Sequence, residues 1–135
     1  MISDRKFVYP LLHDGFTHQD IAEGMKVLKS RQITMSKITD NFEKKFAKKI
    51  GAKYAVMVNS GSSANLLAAF ASCNPLRKNA FKKGEEFLIP AICWSTSLWP
   101  FYQAGLKPVF VDADVNTLNI NIKDLKKKIT KKTKV

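Results

Sequence analysis

Hydrophobic residues in the first third of the chain recur every three or four positions, which is the spacing of one helix face. The first stripe consists of Ile21, Met25 and Leu28. The second consists of Ile38, Phe42, Phe46 and Ile50.

Thr17 with Asp20 has the pattern of a capping box before the first stripe. Ser36 precedes the second stripe, and Gly51 stands where a helix-ending glycine belongs. The pattern predicts two amphipathic helices, with the aromatic residues of the second packed in a core.

From residue 54 onward, short apolar runs alternate with helix-forming segments. The runs predict strands at residues 54–58, 86–90 and 107–111. The helix-forming segments cover residues 64–72, 97–104 and 122–129. Asn121 is a good N-cap for the last of these helices. This order predicts an α/β fold with a mainly parallel sheet and right-handed crossovers. Residues 130–135 have no apolar content to hold them, so we expect them to join no element.

The composition is typical of one cytoplasmic domain. The chain has 135 residues, of which 45% are hydrophobic, and this is enough to form a core. No apolar run is long enough for membrane insertion, and no signal peptide is visible. Cys73 and Cys93 form no CxxC motif, so we expect reduced thiols. His13 and His18 are isolated, so no metal site is predicted.

The net charge of +12 comes almost entirely from lysine, and about half of it lies in residues 123–135. The only arginines are Arg5, Arg31 and Arg77. Proteins that bind nucleic acids usually combine lysine with arginine forks and aromatic platforms. We therefore interpret the lysines as solvated helix faces and expect no nucleic-acid partner. A tail this basic also suggests that the chain stops before an acidic half.

The turn at residues 59–63 joins the first predicted strand to a helix and contains only small or turn-forming residues. The first N–H groups of a helix lack internal partners and lie at the positive end of its dipole, so a phosphate can bind them. Gly61 lets a ligand approach the backbone. Hydroxyl donors come from Ser60, Ser62 and Ser63. The alternative is an ordinary strand–helix connection with a serine N-cap, because the turn matches neither common nucleotide-binding motif.

Ligands of parallel sheets bind at the carboxyl ends of the strands, which makes the residues after each strand candidates for a site. Trp94 follows the second predicted strand and is placed to stack on a flat ring whose phosphate lies on the serine-rich turn. The alternative for Trp94 is ordinary core packing. Trp99 is expected to pack in the core.

Asp112 and Asp114 follow the third predicted strand as a DxD motif. Such a motif can hold a divalent metal that bridges a nucleotide-sugar diphosphate, which would indicate a glycosyltransferase. The alternative is a pair of exposed carboxylates in a turn. We favour the turn, because no third metal ligand is in view.

Four segments in order resemble the DegT/DnrJ/StrS-type sugar aminotransferases that depend on pyridoxal phosphate (PLP). VNSGSSANLL at residues 58–67 is similar to their phosphate-binding segment. GEEFLIPA at residues 84–91, followed by Trp94, is similar to the next. The third segment, within residues 105–120, contains GLKPVFVDAD and TLNI. The fourth lies upstream, within residues 42–55, and contains FEKKFA and GAKYA. The resemblance covers nearly the whole chain.

The resemblance implies a fold-type-I PLP enzyme, normally a homodimer with its site at the subunit interface. Ser62 and Ser63 would contact the cofactor phosphate, largely through backbone N–H groups, and Gly61 would shape the turn. Trp94 would stack on the pyridine ring. Residues 1–135 would be the truncated N-terminal portion of the large domain. Residues 1–53 would form its N-terminal helices and residues 54–135 its β/α cofactor-phosphate region.

The activity that the resemblance implies is amino transfer from glutamate to a nucleotide-linked keto-sugar, in polysaccharide, lipopolysaccharide or deoxyamino-sugar biosynthesis. The family's Schiff-base lysine, and the aspartate that pairs with the pyridinium nitrogen, would lie beyond Val135. The chain alone is therefore expected not to catalyse transamination.

One alternative within the family is an NDP-4-keto-6-deoxyhexose 3-dehydrase, in which a histidine replaces the Schiff-base lysine. The sequence NSGSSAN at residues 59–65, together with Thr34 and Met35, resembles that branch. Against it, Ser36 stands where that branch usually has glycine, and Trp94 suits the aminotransferases as well as or better than the dehydrases. Two distant alternatives are a DxD glycosyltransferase and a basic binding module without a cofactor.

Overall fold

The computed structural model describes residues 15–135, so the isolated His13 lies outside the described residues. The chain divides into two compact units, Met1–Met57 and Val58–Val135. None of the helices in the described part of the chain is both long and apolar enough to cross a membrane.

The first unit contains the two helices that the hydrophobic stripes predict. They are α1, His18–Ser30, and α2, Lys37–Ile50. The predicted capping box is present, since the Thr17 hydroxyl accepts from the Asp20 N–H at 3.2 Å and an Asp20 carboxylate oxygen accepts from the Thr17 N–H at 2.8 Å. Hydrogen bonds from Thr17 lower the pKa of Asp20. Gly51 ends α2 with φ of 71°, a left-handed conformation that glycine adopts without strain.

The apolar stripes of these two helices are less buried than the sequence predicts. Phe42 and Phe46 stack on each other with ring centroids 5.7 Å apart, yet both stay about half exposed. The stripe residues of α1 are also exposed. The prediction that the α2 aromatic residues pack in a core is therefore wrong for the described residues, because no described element of this unit covers the stripe.

Residues 54–58, predicted as a buried strand, form no strand. Val56 is 75% exposed, and this part of the chain pairs with no described strand. The Met57 N–H donates instead to the Glu43 carboxylate at 2.7 Å, which ties the segment to α2. The prediction is wrong because apolar β-rich residues indicate a strand only where a neighbouring strand satisfies their backbone groups.

The second unit is built on a β-α-β crossover. Its elements are α3 Gly61–Ser72, β1 Glu86–Pro90, α4 Ser95–Gln103, β2 Lys107–Val111 and α5 Ile122–Lys128. The two strands are parallel, with Glu86 opposite Lys107 and Pro90 opposite Val111. Both strands have the predicted bounds, which confirms the α/β class. The Asn121 side chain caps α5 as predicted, and α3 and α4 begin three and two residues before their predicted starts.

The core of this unit lies between the sheet and α4. Its buried residues are Phe87, Ile89 and Leu106. The partly buried residues packed against them are Cys73, Phe81, Leu98, Phe101 and Ala104. Burial raises the pKa of the Cys73 thiol, which favours its neutral form over the thiolate.

Residues 130–135 take part in the sheet, contrary to prediction. The Glu86 N–H donates to the Lys132 carbonyl at 2.8 Å, the Glu86 carbonyl accepts from the Lys134 N–H at 2.9 Å, and the Leu88 N–H donates to the Val135 carbonyl at 2.7 Å. The β-bridge that these bonds form pairs Glu86 with Thr133 in parallel orientation. The prediction is wrong because backbone hydrogen bonds need no apolar side chains, and β1 consequently has neighbours on both sides.

The helix α5 packs beside the outer edge of β2. Pro108 has no N–H to offer there. The Phe110 carbonyl accepts from the Lys128 ammonium at 2.8 Å, and the Asp112 N–H donates to the Asp124 carboxylate at 2.9 Å. This bond from Asp112, together with Lys128, lowers the pKa of Asp124. Two of the backbone groups that could otherwise recruit another strand are thus satisfied.

Replacing the central aromatic residue of β1 should destabilise the unit strongly. Phe87→Ala removes a side chain that is 2% exposed and packs on Phe101 at 5.4 Å. We expect the free energy of unfolding to fall by about 3–5 kcal/mol, measured by urea denaturation of the whole protein. The control is Phe110→Ala on β2, whose side chain is 46% exposed and should cost clearly less. Equal losses for the two variants would contradict this account of the core.

Candidate functional site

The predicted phosphate-binding turn is the first turn of α3. Ser60 is the N-cap, and its hydroxyl accepts from the Ser63 N–H at 3.2 Å. This is the serine cap that the sequence also allowed. Within the described residues the N–H groups of Gly61 and Ser62 donate to no partner. Two backbone donors at the positive end of a helix dipole are therefore free to bind an anion, while the third is engaged.

Gly61 has no conformational reason to be glycine in this chain. Its φ is not in the left-handed region, and a Cβ built on it meets no atom within 4 Å. The space beside its backbone is open. The absent side chain thus leaves the Gly61 and Ser62 N–H groups accessible, which suits a cradle for a phosphate.

Trp94 immediately precedes α4 and follows the carboxyl end of β1. Its carbonyl accepts from the Ser97 N–H at 2.9 Å, which fixes its backbone at the start of the helix. The side chain is 76% exposed. The alternative that Trp94 packs in the core is therefore wrong. Its indole face is open to a flat ligand, as the stacking prediction requires.

Trp99 lies in α4 and was expected in the core, but its side chain is half-exposed. It packs edge-on against Tyr102, with ring centroids 6.2 Å apart. Trp99 lines a cavity of about 210 Å³ between α3 and α4, together with Ser62, Ser63 and Thr96. The prediction is wrong because helical position alone does not decide which side of α4 faces the sheet.

One side-chain hydrogen bond connects the serine-rich turn with the segment after Trp94. The Asn65 amide, on the second turn of α3, donates to the Thr96 carbonyl at 3.3 Å. Asn65 belongs to the segment VNSGSSANLL that resembles the family, but the sequence predicts no role for it. The bond links the helix that offers free N–H groups with the residues that follow the exposed indole.

Asp112 and Asp114 are used by the loop that follows β2. One Asp114 oxygen accepts from the N–H groups of Asn116 and Thr117 at 3.0 and 3.1 Å. Both bonds lower the pKa of Asp114, and the bond from the Thr117 N–H has the larger effect. The Asp112 carboxylate accepts from the Ala113 N–H at 2.8 Å. Among the described residues no three potential metal ligands lie together, and the two aspartates build a turn.

The turn built by Asp114 should depend on pH. Its folded-state pKa lies below the ordinary value of about 3.9, so the ionised carboxylate stabilises the loop above that pH. The contribution is lost as pH falls through the lowered pKa. We expect hydrogen exchange of the Thr117 amide, corrected for its intrinsic rate, to lose protection in that range.

Asp114→Ala is the control, and should leave the Thr117 amide unprotected at every pH. Mg²⁺ should change neither profile if the carboxylate serves the loop. A Mg²⁺-dependent gain in protection would instead support the metal-binding alternative.

Comparison with known proteins gives one family. The sequence model of the DegT/DnrJ/EryC1/StrS aminotransferase family matches residues 16–135. A GDP-4-keto-6-deoxy-D-mannose 3-dehydratase of Escherichia coli O55:H7 is 44% identical over 126 residues, which are 93% of this chain and 32% of that protein. A GDP-perosamine synthase of Escherichia coli O157:H7 is 33% identical over 93 residues, 69% of this chain and 24% of that protein. The chain therefore spans about a third of the length of the curated relatives it matches.

A solved structure agrees in both fold and sequence. It is the E. coli GDP-4-keto-6-deoxy-D-mannose-3-dehydratase with bound hydrated PLP, and it superposes with a TM-score of 0.82 at 44% identity. The match covers 93% of this chain and 32% of that one. The family match over residues 16–135 includes the turn, the crossover and the loop described above.

Proposed function

The chain belongs to the DegT/DnrJ/EryC1/StrS aminotransferase family, and from this premise we propose that the whole protein is a PLP-dependent 3-dehydratase of a nucleotide-linked 4-keto-6-deoxy-sugar. The observation that carries the proposal is the difference between 44% identity to a 3-dehydratase and 33% to a GDP-perosamine synthase. The sequence motifs alone favour the aminotransferase, with the 3-dehydrase as the alternative. The similarity supports the alternative better, and a GDP-linked sugar is the first substrate to test.

The residues of the turn fit the phosphate of PLP. A dianion would accept from the free N–H groups of Gly61 and Ser62, and no side chain at Gly61 obstructs it. The Ser63 N–H is already bonded to Ser60. We therefore assign to Ser63 a contact through its hydroxyl rather than through its backbone.

Trp94 fits the cofactor ring, because an exposed indole next to the sheet's carboxyl edge presents a flat apolar face. When bound, PLP supplies an electron sink for chemistry at the sugar. The role of this chain is to hold the phosphate and to orient the ring. Glycosyltransferase chemistry at Asp112 and Asp114 is not proposed, since the loop uses both carboxylates.

An aminotransferase remains the second candidate, because relatives with that chemistry share the same segment. Glutamate is the proposed amino donor. A homodimer in the cytoplasm is the proposed state of the whole protein, and light scattering would measure its mass.

The two candidates differ in product. The whole protein, with PLP and glutamate, is incubated with GDP-4-keto-6-deoxy-D-mannose, and the nucleotide-sugar products are analysed by mass spectrometry. A product that lacks the C3 hydroxyl and contains no added nitrogen supports the 3-dehydratase. A product that has gained an amino group and kept that hydroxyl supports the aminotransferase. Turnover of neither kind, with PLP bound, would count against both.

Loss of the indole should weaken cofactor binding. Trp94→Ala removes a stacking contact worth about 0.5–1.5 kcal/mol, so the dissociation constant of PLP should rise by about two- to tenfold. Trp94→Phe keeps an aromatic face and is the matched control, with a smaller effect. Spectrophotometric titration of the whole protein measures both. An unchanged dissociation constant for Trp94→Ala would remove the stacking role.

A further inference from the structure

Pro100 leaves a gap in the hydrogen bonding of α4. In an α-helix the carbonyl of each residue accepts from the N–H four positions later. The residue four positions after Thr96 is Pro100, which has no N–H. A proline ring also clashes in general with the carbonyl four positions before it. The Thr96 carbonyl therefore lacks the donor that an α-helix normally supplies four positions later.

Asn65 supplies the missing donor from another helix. Its amide donates to the Thr96 carbonyl at 3.3 Å. Asn65 lies four residues after Gly61 and three after Ser62, so all three share one face of α3. Thr96 lies two residues after Trp94 in the chain. The bond between α3 and α4 thus connects the helix that offers the free N–H groups to the segment that carries the indole.

We propose that Asn65 is a positioning residue, which uses the carbonyl freed by Pro100 to fix the serine-rich turn relative to Trp94. The proposal rests on the proposed function, since it concerns how the two halves of the PLP site are held. PLP contacts the turn through its phosphate and Trp94 through its ring, so its affinity depends on their spacing. A ligand that touches only one half does not depend on that spacing.

The experiment uses the whole protein with Asn65→Leu, Pro100→Ala and the double variant. Dissociation constants are measured for PLP and, as a one-point probe, for inorganic phosphate. Thermal midpoints are recorded alongside. Asn65→Leu keeps the side-chain size and removes the donor. We expect it to weaken PLP binding by about three- to tenfold, the range of one hydrogen bond, and to leave phosphate binding unchanged.

Pro100→Ala separates positioning from simple satisfaction of a carbonyl. It restores an N–H to α4, so the Thr96 carbonyl regains a partner without Asn65. We expect Asn65→Leu to lower the thermal midpoint. In the double variant the midpoint should recover, while PLP binding should stay weakened. Recovery of PLP affinity in the double variant would overturn the proposal, and so would equal weakening of PLP and phosphate by Asn65→Leu.

The outcomes also separate this inference from the proposed function. Absence of PLP binding by the unsubstituted protein would overturn the cofactor assignment itself, whatever the variants do. PLP binding that Asn65→Leu does not change would overturn only the role of Asn65. Asn65→Ala, which suits any exposed helix position, repeats the comparison if leucine is not tolerated.

Discussion

Backbone pairing on both sides of β1 is the constraint on which the second unit depends. The crossover through α4 sets β2 parallel to one edge of β1, and residues 132–135 bond to the other edge. A strand held from both sides has a fixed direction, so the residues after it leave the sheet at one place. Trp94 is exposed there and α4 begins there. The position of the indole follows from strand pairing rather than from any contact of its own ring.

Those features that depend on local sequence were predictable. The strands at residues 86–90 and 107–111, the capping box of Thr17 and the cap at Asn121 each follow from neighbouring residues. Features that depend on a partner were not. The apolar run at residues 54–58 has no partner strand among the described residues, whereas residues 132–135 find one without apolar side chains. Periodicity indicates which side chains favour burial, but it does not identify what pairs with the backbone.

The candidate site divides in the same way. The sequence predicts a phosphate-binding helix N-terminus near Gly61, with an ordinary serine cap as the alternative. The structure has the Ser60 cap as well as free N–H groups. The cap uses the Ser63 N–H and leaves two donors free. The pairing of Asn65 with Thr96 was missed, although the sequence carries a signal for it. A proline four residues after Thr96 marks a carbonyl that must find its donor elsewhere.

The segment explains why two chemistries share it. A dehydratase and an aminotransferase that use the same cofactor need the same phosphate cradle, so Gly61 and Ser62, the residues proposed for that cradle, do not distinguish the two. What favours the dehydratase is identity over 126 residues, which is a property of the whole segment. A residue that fixes the geometry of the PLP-binding site, as proposed for Asn65, serves either reaction. Its effect belongs to cofactor affinity, and the choice of product belongs to the groups that act on the sugar.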